Sequence, residues 1–428
     1  MILLQLIQQA PERVVEGLAK RGFADGSVLV DRIREADRLR RERIVALDAD
    51  RAEMNRISKE IGQLMAQGQR EAAEAARQQT QSLKARIAEG EEALKTALNE
   101  VNALLVQLPN IPHSSVPAGR SADDNLIVRE NSRPRENPHA TKPHWEVADA
   151  FKLIDFERGT KITGAGFPVY RGKGAALQRA LVHFFLERAI AAGYEEIMPP
   201  LLVNEASGYG TGQLPDKEGQ MYHCTVDNFY LIPTAEVPVT NLLRDEIIPE
   251  EELPVKMCGY TPCFRREAGS YGKDTRGLNR LHQFDKVEIV QIAHPDRSYD
   301  ILEEMVAHVE GLLESLELPY RVLKLCGGDM GFASALTYDL EVWSMAQQRW
   351  LEVSSVSNFE TFQTNRLKLR YRTADKRNEL AHSLNGSALA LPRIVAALLE
   401  NNQQADGRIR LPDVLAAHMG VTYLEPPR

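Results

Sequence analysis

From about Val30 to Leu108 apolar residues return at heptad intervals on a polar background. Ile33, Leu47, Met54 and Ile61 hold one phase with Arg40 as the exception, and Ile87, Leu94, Val101 and Leu108 hold another. Such spacing predicts two long helices. The break falls at Ala66–Gln69, where Gly68 sits among polar residues, and a tight turn there folds the pair into an antiparallel coiled-coil hairpin. A helix of roughly 36 residues is about 54 Å long, so the arm must leave one face in water. A short helix over Pro11–Arg21, stopped by Gly22, precedes it.

Leu108–Arg135 is punctuated by Pro109, Pro112, Pro117 and Pro134, has little apolar periodicity and reads as a linker. Beyond it the pattern becomes mixed. Phe229–Ile232 and Lys286–Ile292 have strand character, and Ser298–Leu316 reads as a helix. Gly174–Gly193 is an amphipathic helix with Leu177, Leu181, Phe184, Phe185 and Ile190 on its buried side and Gly193 as a left-handed stop. A strand Glu195–Met198 and Pro199-Pro200 follow it. The fold class is therefore α+β, a helical coiled-coil arm followed by a mainly antiparallel sheet with flanking helices. The expected segments are 1–108, a linker 109–135, and 136–428.

Composition narrows this picture. A chain of 428 residues can bury a large sheet. With 52 Lys and Arg against 60 Asp and Glu the net charge is -8, so any nucleic-acid contact must come from local basic patches. Four cysteines without paired spacing, Cys224, Cys258, Cys263 and Cys326, argue against a disulfide framework or a zinc site and fit a reducing cytoplasm. No apolar run approaches a membrane span and Met1–Ile7 lacks a basic leader, so the expectation is a soluble protein with no membrane association. No GxGxxG opens a helix after a strand, and Gly269-Ser-Tyr-Gly-Lys-Asp lacks the Walker A spacing.

Four stretches carry candidate chemistry. In Thr261–Glu288 two strands flank a charged, glycine-rich turn region and deliver Phe264, Arg265, Arg266, Glu267, Phe284 and Glu288. A guanidinium fork, a carboxylate and a flat ring together suit a nucleotide, and equally build a salt-bridged surface hairpin. In Ile232–Pro238 a hydroxyl, Thr234, and a carboxylate, Glu236, flank Ala235 on a stiff turn that can hold an ammonium or cap a helix. Glu352–Asn358 alternates as a strand with Glu352, Ser354 and Val356 on one face, so a twist or bulge is needed for Glu352 and Ser355 to meet. Leu384–Val395 runs into an apolar helix reaching Leu399. On the arm, Arg34, Arg38 and Arg41 share a face that can follow a phosphate backbone, although Glu35, Asp37 and Glu42 lie among them.

Phe-Arg-x-Glu, a loop, and Phe-x-x-x-Glu resemble motif 2 of class II aminoacyl-tRNA synthetases, and TPCFRREAGSYGKDTRG resembles the bacterial-type seryl-tRNA synthetases. The helix, strand and Pro200 resemble motif 1, which forms a dimer interface in that family. Gly386 and Arg393 match motif 3, with Pro392 where many relatives have Gly. The resemblance covers essentially the whole chain. It implies a homodimeric, cytoplasmic class II synthetase that uses ATP and Mg²⁺ to form seryl-adenylate from L-serine and passes the seryl group to tRNA-Ser. Arg265 and Arg393 then act on the α- and γ-phosphates. Thr234, Ala235, Glu236, Glu288 and Ser387 surround serine. Arg265, Arg266, Glu267, Phe284, Glu352, Val353, Ser354, Ser355 and Arg393 bind ATP, with Glu352 and Ser355 as Mg²⁺ ligands. Arg34, Arg38 and Arg41 on the arm and Lys273, Arg276 and Arg280 in the motif 2 loop meet tRNA. Two alternatives are a seryl-adenylating enzyme that loads a carrier protein and a non-catalytic interaction protein. The long arm argues against the first, and retention of Arg265, Glu352 and Arg393 against the second.

Overall fold

The computed structural model describes residues 1–131, 137–217, 219–267 and 276–427. These fall into two units, Ile2–Ala19 with Phe23–Pro109, and Met1 and Lys20–Gly22 with Asn110–Arg428.

The first unit is dominated by two helices, α1 (Gly26–Ala66) and α2 (Arg70–Leu105), joined through Gly68 at φ +74°. They run antiparallel: Leu47 faces Gly90, Arg86 pairs with Asp50, and Arg51 pairs with Glu91 at 2.7 Å. The heptad positions read from the sequence are one half of the seam. The other half is Ile57 on α1 and Ala73, Ala76, Leu83 and Leu104 on α2. Alanine and glycine at several of these places gave the second phase little hydrophobic signal. Arg40, the break in the pattern, lies in the seam paired with Asp37, which is fully buried, at 2.6 Å. The stem of an arginine covers apolar surface while its head finds a partner.

The second unit is built on an eight-stranded sheet. Its strands are β1 (Leu126–Glu130), β2 (Glu195–Glu196), β3 (Val255–Phe264), β4 (Gln283–Ala293), β5 (Tyr320–Lys324), β6 (Leu336–Ser344), β7 (Arg349–Asn358) and β8 (His382–Ala390). They lie in the order β1-β5-β6-β7-β8-β4-β3-β2, antiparallel throughout except for the parallel pair β2 and β3. Helices α3 (Lys173–Ala191), α4 (Ser298–Ser315) and α5 (Leu391–Asn401) share one large core with one face of this sheet.

The alternation along β4 sorts the site from the core. Val287, Ile289 and Ala293 belong to the helix-covered core, whereas Val290 packs on the opposite side against Ala235 and Val239. Lys286 and Glu288 therefore face the Thr234 segment.

Two expectations change. Ile190 is 48% exposed, because the inward stripe of α3 runs from Phe185 to Ala189 instead. The described part of the predicted linker is built into the sheet unit: β1 pairs with β5, and the Asn110 and His113 amides donate to Phe332 and Ala335 carbonyls at 2.9 and 2.8 Å. Every β1 side chain is exposed, so this edge strand carries no apolar alternation to read. Residues 132–135 of that stretch lie outside the described residues.

Candidate functional site

The centre of the site is a buried polar group on the face of β4 opposite the core shared with α3, α4 and α5. Lys286, Glu288, Thr234 and Glu236 are all buried, Glu288 to 2% exposure. Lys286 Nζ pairs with the Glu288 carboxylate and donates to Thr234 Oγ1 at 2.9 Å. Thr234 Oγ1 donates to Glu288 Oε2 at 3.2 Å and accepts the Glu236 amide at 3.2 Å. Its proton and both lone pairs are thus used. That last bond supports the start of a short helix, Glu236–Asn241, so the turn serves as a helix start and as a pocket wall together.

Glu236 accepts from Gln363 Nε2 at 2.6 Å, and Gln363 Oε1 accepts from Ser383 Oγ at 2.7 Å. Burial and then the Glu288 charge push the Glu236 carboxyl up to about 7, while Gln363, Lys286 and Asn385 hold it down. Ser387 is buried and stands opposite Glu288 in the ladder. With Glu236 ionised, two carboxylates and one ammonium leave the pocket one negative charge. That balance suits a small ligand carrying a cation and hydrogen-bonding groups.

Beside the pocket, Arg265 leaves β3 with its guanidinium 5.1 Å from the Phe284 ring centroid and its Nε donating to the Pro233 carbonyl at 3.3 Å. Arg266 is exposed, with its amide held by the Gln220 carbonyl at 2.8 Å. Glu267 has a positive φ of 48° and pairs with Arg280 at 2.8 Å. Arg276 lies over the Trp145 ring at 4.8 Å. Lys273 lies outside the described residues.

The required bulge is present on β7. Leu340 stands opposite Ser354 and Glu341 opposite Glu352, which leaves Val353 as the extra residue. Glu352 is exposed and Ser355 half-buried, with Val353 and Ser354 buried between them, so Glu352 and Ser355 share the open side. This corrects the simple alternation that grouped Ser354 with Glu352. The Ser354 hydroxyl instead donates to the Ser387 carbonyl at 2.6 Å, and neither Val353 nor Ser354 offers a side chain to a ligand there. Arg393, in the first turn of α5 beside Pro392, donates to the Glu352 carbonyl at 2.6 Å and the Asn279 carbonyl at 3.1 Å.

Several participants had no sequence signal. Asp339 on β6 accepts from Ser355, and burial, then the Glu352 charge, raises its carboxyl well above the usual range. Lys286 was not singled out either, although its place two residues from Glu288 on the same strand face is a signal, and Asn385 lay unremarked within Leu384–Val395. Gln363 had no such signal. His144, fully buried, accepts the Leu278 amide on Nε2 at 2.8 Å and faces Glu400 through Nδ1 at 2.7 Å, tying the segment before Arg280 to α5. Gly277, at φ +70°, permits this approach: a Cβ there would lie 2.2 Å from His144 Nε2.

The three arm arginines are exposed, but each meets an acidic neighbour on α1. Arg34 lies 3.9 Å from Asp31, Arg38 pairs with Glu35 at 2.6 Å and with Glu42, and Arg41 lies 3.1 Å from Asp37. The Arg34 and Arg38 pairs are exposed and weak, whereas the Asp37 partner of Arg41 is buried. Among the described residues no helix is long and apolar enough to cross a membrane.

Residues 1–112 match the family model of the seryl-tRNA synthetase N-terminal domain, and residues 222–402 match that of the tRNA synthetase class II core domain (G, H, P, S and T). A serine-tRNA ligase of Salinibacter ruber is 52% identical over 421 residues, 98% of each chain. One from Neisseria meningitidis serogroup B is 46% identical over 427 residues, again 98% of each. The crystal structure of a seryl-tRNA synthetase from Pyrococcus horikoshii complexed with ATP is 33% identical, with a TM-score of 0.93 over 100% of both chains. A cytoplasmic serine-tRNA ligase from Naegleria fowleri in complex with AMP, 27% identical, has a TM-score of 0.87 over 100% of this chain and 99% of that one.

Proposed function

The chain belongs to the seryl-tRNA synthetase family, and we propose that its buried carboxylate pocket and the open sheet edge beside it are where serine meets ATP. The activity is that of a class II ligase: ATP-dependent activation of L-serine to seryl-adenylate, then transfer to tRNA-Ser. The observation that carries the site assignment is the pocket of Thr234, Glu236, Lys286 and Glu288, whose charge balance matches an amino acid's ammonium beside a hydroxyl.

In the first step a serine carboxylate oxygen attacks the α-phosphorus, and the bond to the departing pyrophosphate breaks. Positioning and electrostatics carry such chemistry, without an enzyme nucleophile. Glu236 and Glu288 take the ammonium and the hydroxyl, with Thr234, the Ala235 backbone and Ser387 completing the wall. Arg265 neutralises charge at the α-phosphate, and Arg393 meets the γ-phosphate. Phe284 stacks on adenine, and Glu267 accepts from its exocyclic amine. Arg266 lies beside the phosphates. The backbone of Val353 and Ser354 lines the nucleotide side.

Glu352 and Ser355 fit Mg²⁺, since the bulge turns two hard oxygen donors to the open side. When bound, the ion would neutralise phosphate charge. In the second step a ribose hydroxyl of the tRNA end attacks the activated carbonyl and AMP leaves. Residues 1–108 serve as the tRNA-binding domain and 136–428 as the catalytic domain. Arg34, Arg38 and Arg41 contact the tRNA body, and Lys273, Arg276 and Arg280 its acceptor end. The working form is a cytoplasmic homodimer joined through α3 and the stretch to Pro200, where Met198 is 90% exposed. Serine-dependent ATP-pyrophosphate exchange tests the assignment: Glu236→Gln and Glu288→Gln should each raise the serine KM with little change in the KM for ATP. A matching rise in both constants would remove the pocket from serine recognition.

A further inference from the structure

The geometry points to a second, non-catalytic site on the molecule: His183, Glu187 and His418 form a surface site for a divalent transition ion such as zinc, cobalt or nickel. His183 and Glu187 lie one helical turn apart on α3 and so share a face. His418 comes from the helix Asp413–Met419. Leu415 of that helix is fully buried in the main core, and Val414, Ala416 and Met419 pack against the same core, so the backbone that carries His418 is held in place.

The three side chains converge as metal ligands do. Glu187 lies between the histidines and offers each a different oxygen, Oε1 at 3.7 Å from His183 Nε2 and Oε2 at 3.4 Å from His418 Nε2. The imidazole centroids are 4.8 Å apart, and one ligand atom from each residue lies within 4.8 Å of the other two. Around a tetrahedral ion with bonds of about 2.0–2.2 Å, ligand atoms stand roughly 3.3–3.6 Å apart. Each histidine already stands near that distance from one Glu187 oxygen, at 3.7 and 3.4 Å, and side-chain rotation must bring both imidazole nitrogens to the same carboxylate oxygen.

The donor set selects the ion. Two imidazole nitrogens and one carboxylate favour zinc, cobalt or nickel over magnesium or calcium, which want oxygen alone. In the single chain, side-chain exposures of 61, 53 and 21% for His183, Glu187 and His418 leave room for a fourth ligand. Among the described residues no other group of three His, Cys, Asp or Glu side chains converges in this way. α3 packs on the sheet face opposite the one that bears Lys286 and Glu288, so this site is separate from the reacting groups. An ion here joins α3 to the Asp413–Met419 helix and stabilises the fold by binding only the native state.

The test uses the full-length chain stripped of metal, titrated with Co²⁺ and Zn²⁺. One Co²⁺ per chain should bind with tetrahedral d–d absorption and no thiolate charge-transfer band, and Zn²⁺ should raise Tm saturably. His183→Gln and His418→Gln should each lose both responses while keeping the metal-free Tm and pyrophosphate exchange of the parent. Cys224→Ser, beside the exposed His223, should keep both responses. The site is overturned if the parent binds no ion, if the two histidine variants bind as the parent does, or if Cys224→Ser abolishes binding. Should either glutamine variant have a lower metal-free Tm, Glu187→Gln supplies the same comparison.

Discussion

The serine KM should depend on pH through Glu236. Burial and the Glu288 charge raise this carboxyl from 4.5 to about 7. A shift of that size is worth about 3 kcal/mol between the protonation states. The folded chain therefore binds a proton that the unfolded chain does not between these values. Its stability from this group is greatest at low pH and falls as pH rises through about 7.

Under the proposed assignment serine binding runs the other way, because its ammonium needs the ionised carboxylate. With a midpoint of about 7, the ionised fraction is about a tenth at one unit below and about nine-tenths at one unit above. An apparent affinity scales with the competent fraction. The serine KM in pyrophosphate exchange at saturating ATP should thus be about tenfold higher at pH 6 than at pH 8, over which the serine ammonium keeps its proton. Glu236→Gln should raise the KM at every pH and flatten the profile. A flat serine KM in the parent chain across this range, or an unaltered slope in Glu236→Gln, would refute the reasoning.

Arg265→Ala should lower serine-dependent pyrophosphate exchange by about 10²–10³ without unfolding the chain, because one group facing growing charge is removed; exchange and circular dichroism together check it. Alanine and glycine should be rejected by up to about 10⁴ because Glu288 and Ser387 lose their hydroxyl partner, whereas threonine is excluded only by a methyl group worth roughly 1–3 kcal/mol; exchange with each amino acid measures this. Lys286→Met should cost about 3–5 kcal/mol in denaturant unfolding, since it leaves Glu288 buried without its cation, and Glu288→Gln in the same chain should recover part of that loss. Replacing residues 34–97 by a short turn should spare pyrophosphate exchange and collapse tRNA-Ser charging, and the intact chain's tRNA binding should weaken steeply with salt.

The arm and the main helices were legible because their period is long and repeated, so single exceptions such as Arg40 do not erase it. The edge strand β1 was not, since it buries no side chain and the prolines of the stretch around it dominate the pattern. Residues close together in sequence, such as Thr234 with Glu236 and Arg265 with Glu267, announced a site. Gln363, Asp339 and His144 did not. Each reaches the site from a distant segment, and nothing local distinguishes a glutamine that holds a carboxylate from one in solvent. The arm arginines show the reverse limit: their shared face was readable, but their pairing with Asp31, Glu35, Asp37 and Glu42 needed rotamers.

The least readable features are the two places where strand periodicity breaks, and both fall at the site. On β7 the extra Val353 turns Glu352 to the side of Ser355. Between β4 and β8 the register passes from Lys286 opposite Ala390 to Glu288 opposite Ser387, so β8 carries an extra residue there. A regular ladder would have carried Glu352 to the opposite face from Ser355, and it would not have set Ser387 across from Glu288. An extra residue re-aims every side chain beyond it. Gly386 follows from the same arrangement: it lies between Val356 and Ile289 in the ladders, and a Cβ there would come within 2.9 Å of Val356 Cγ2. A side chain at 386 would push β8 from β7 and with it Ser387 from Glu288. The glycine is therefore needed for the spacing of the pocket wall, independently of any contact it makes with a ligand.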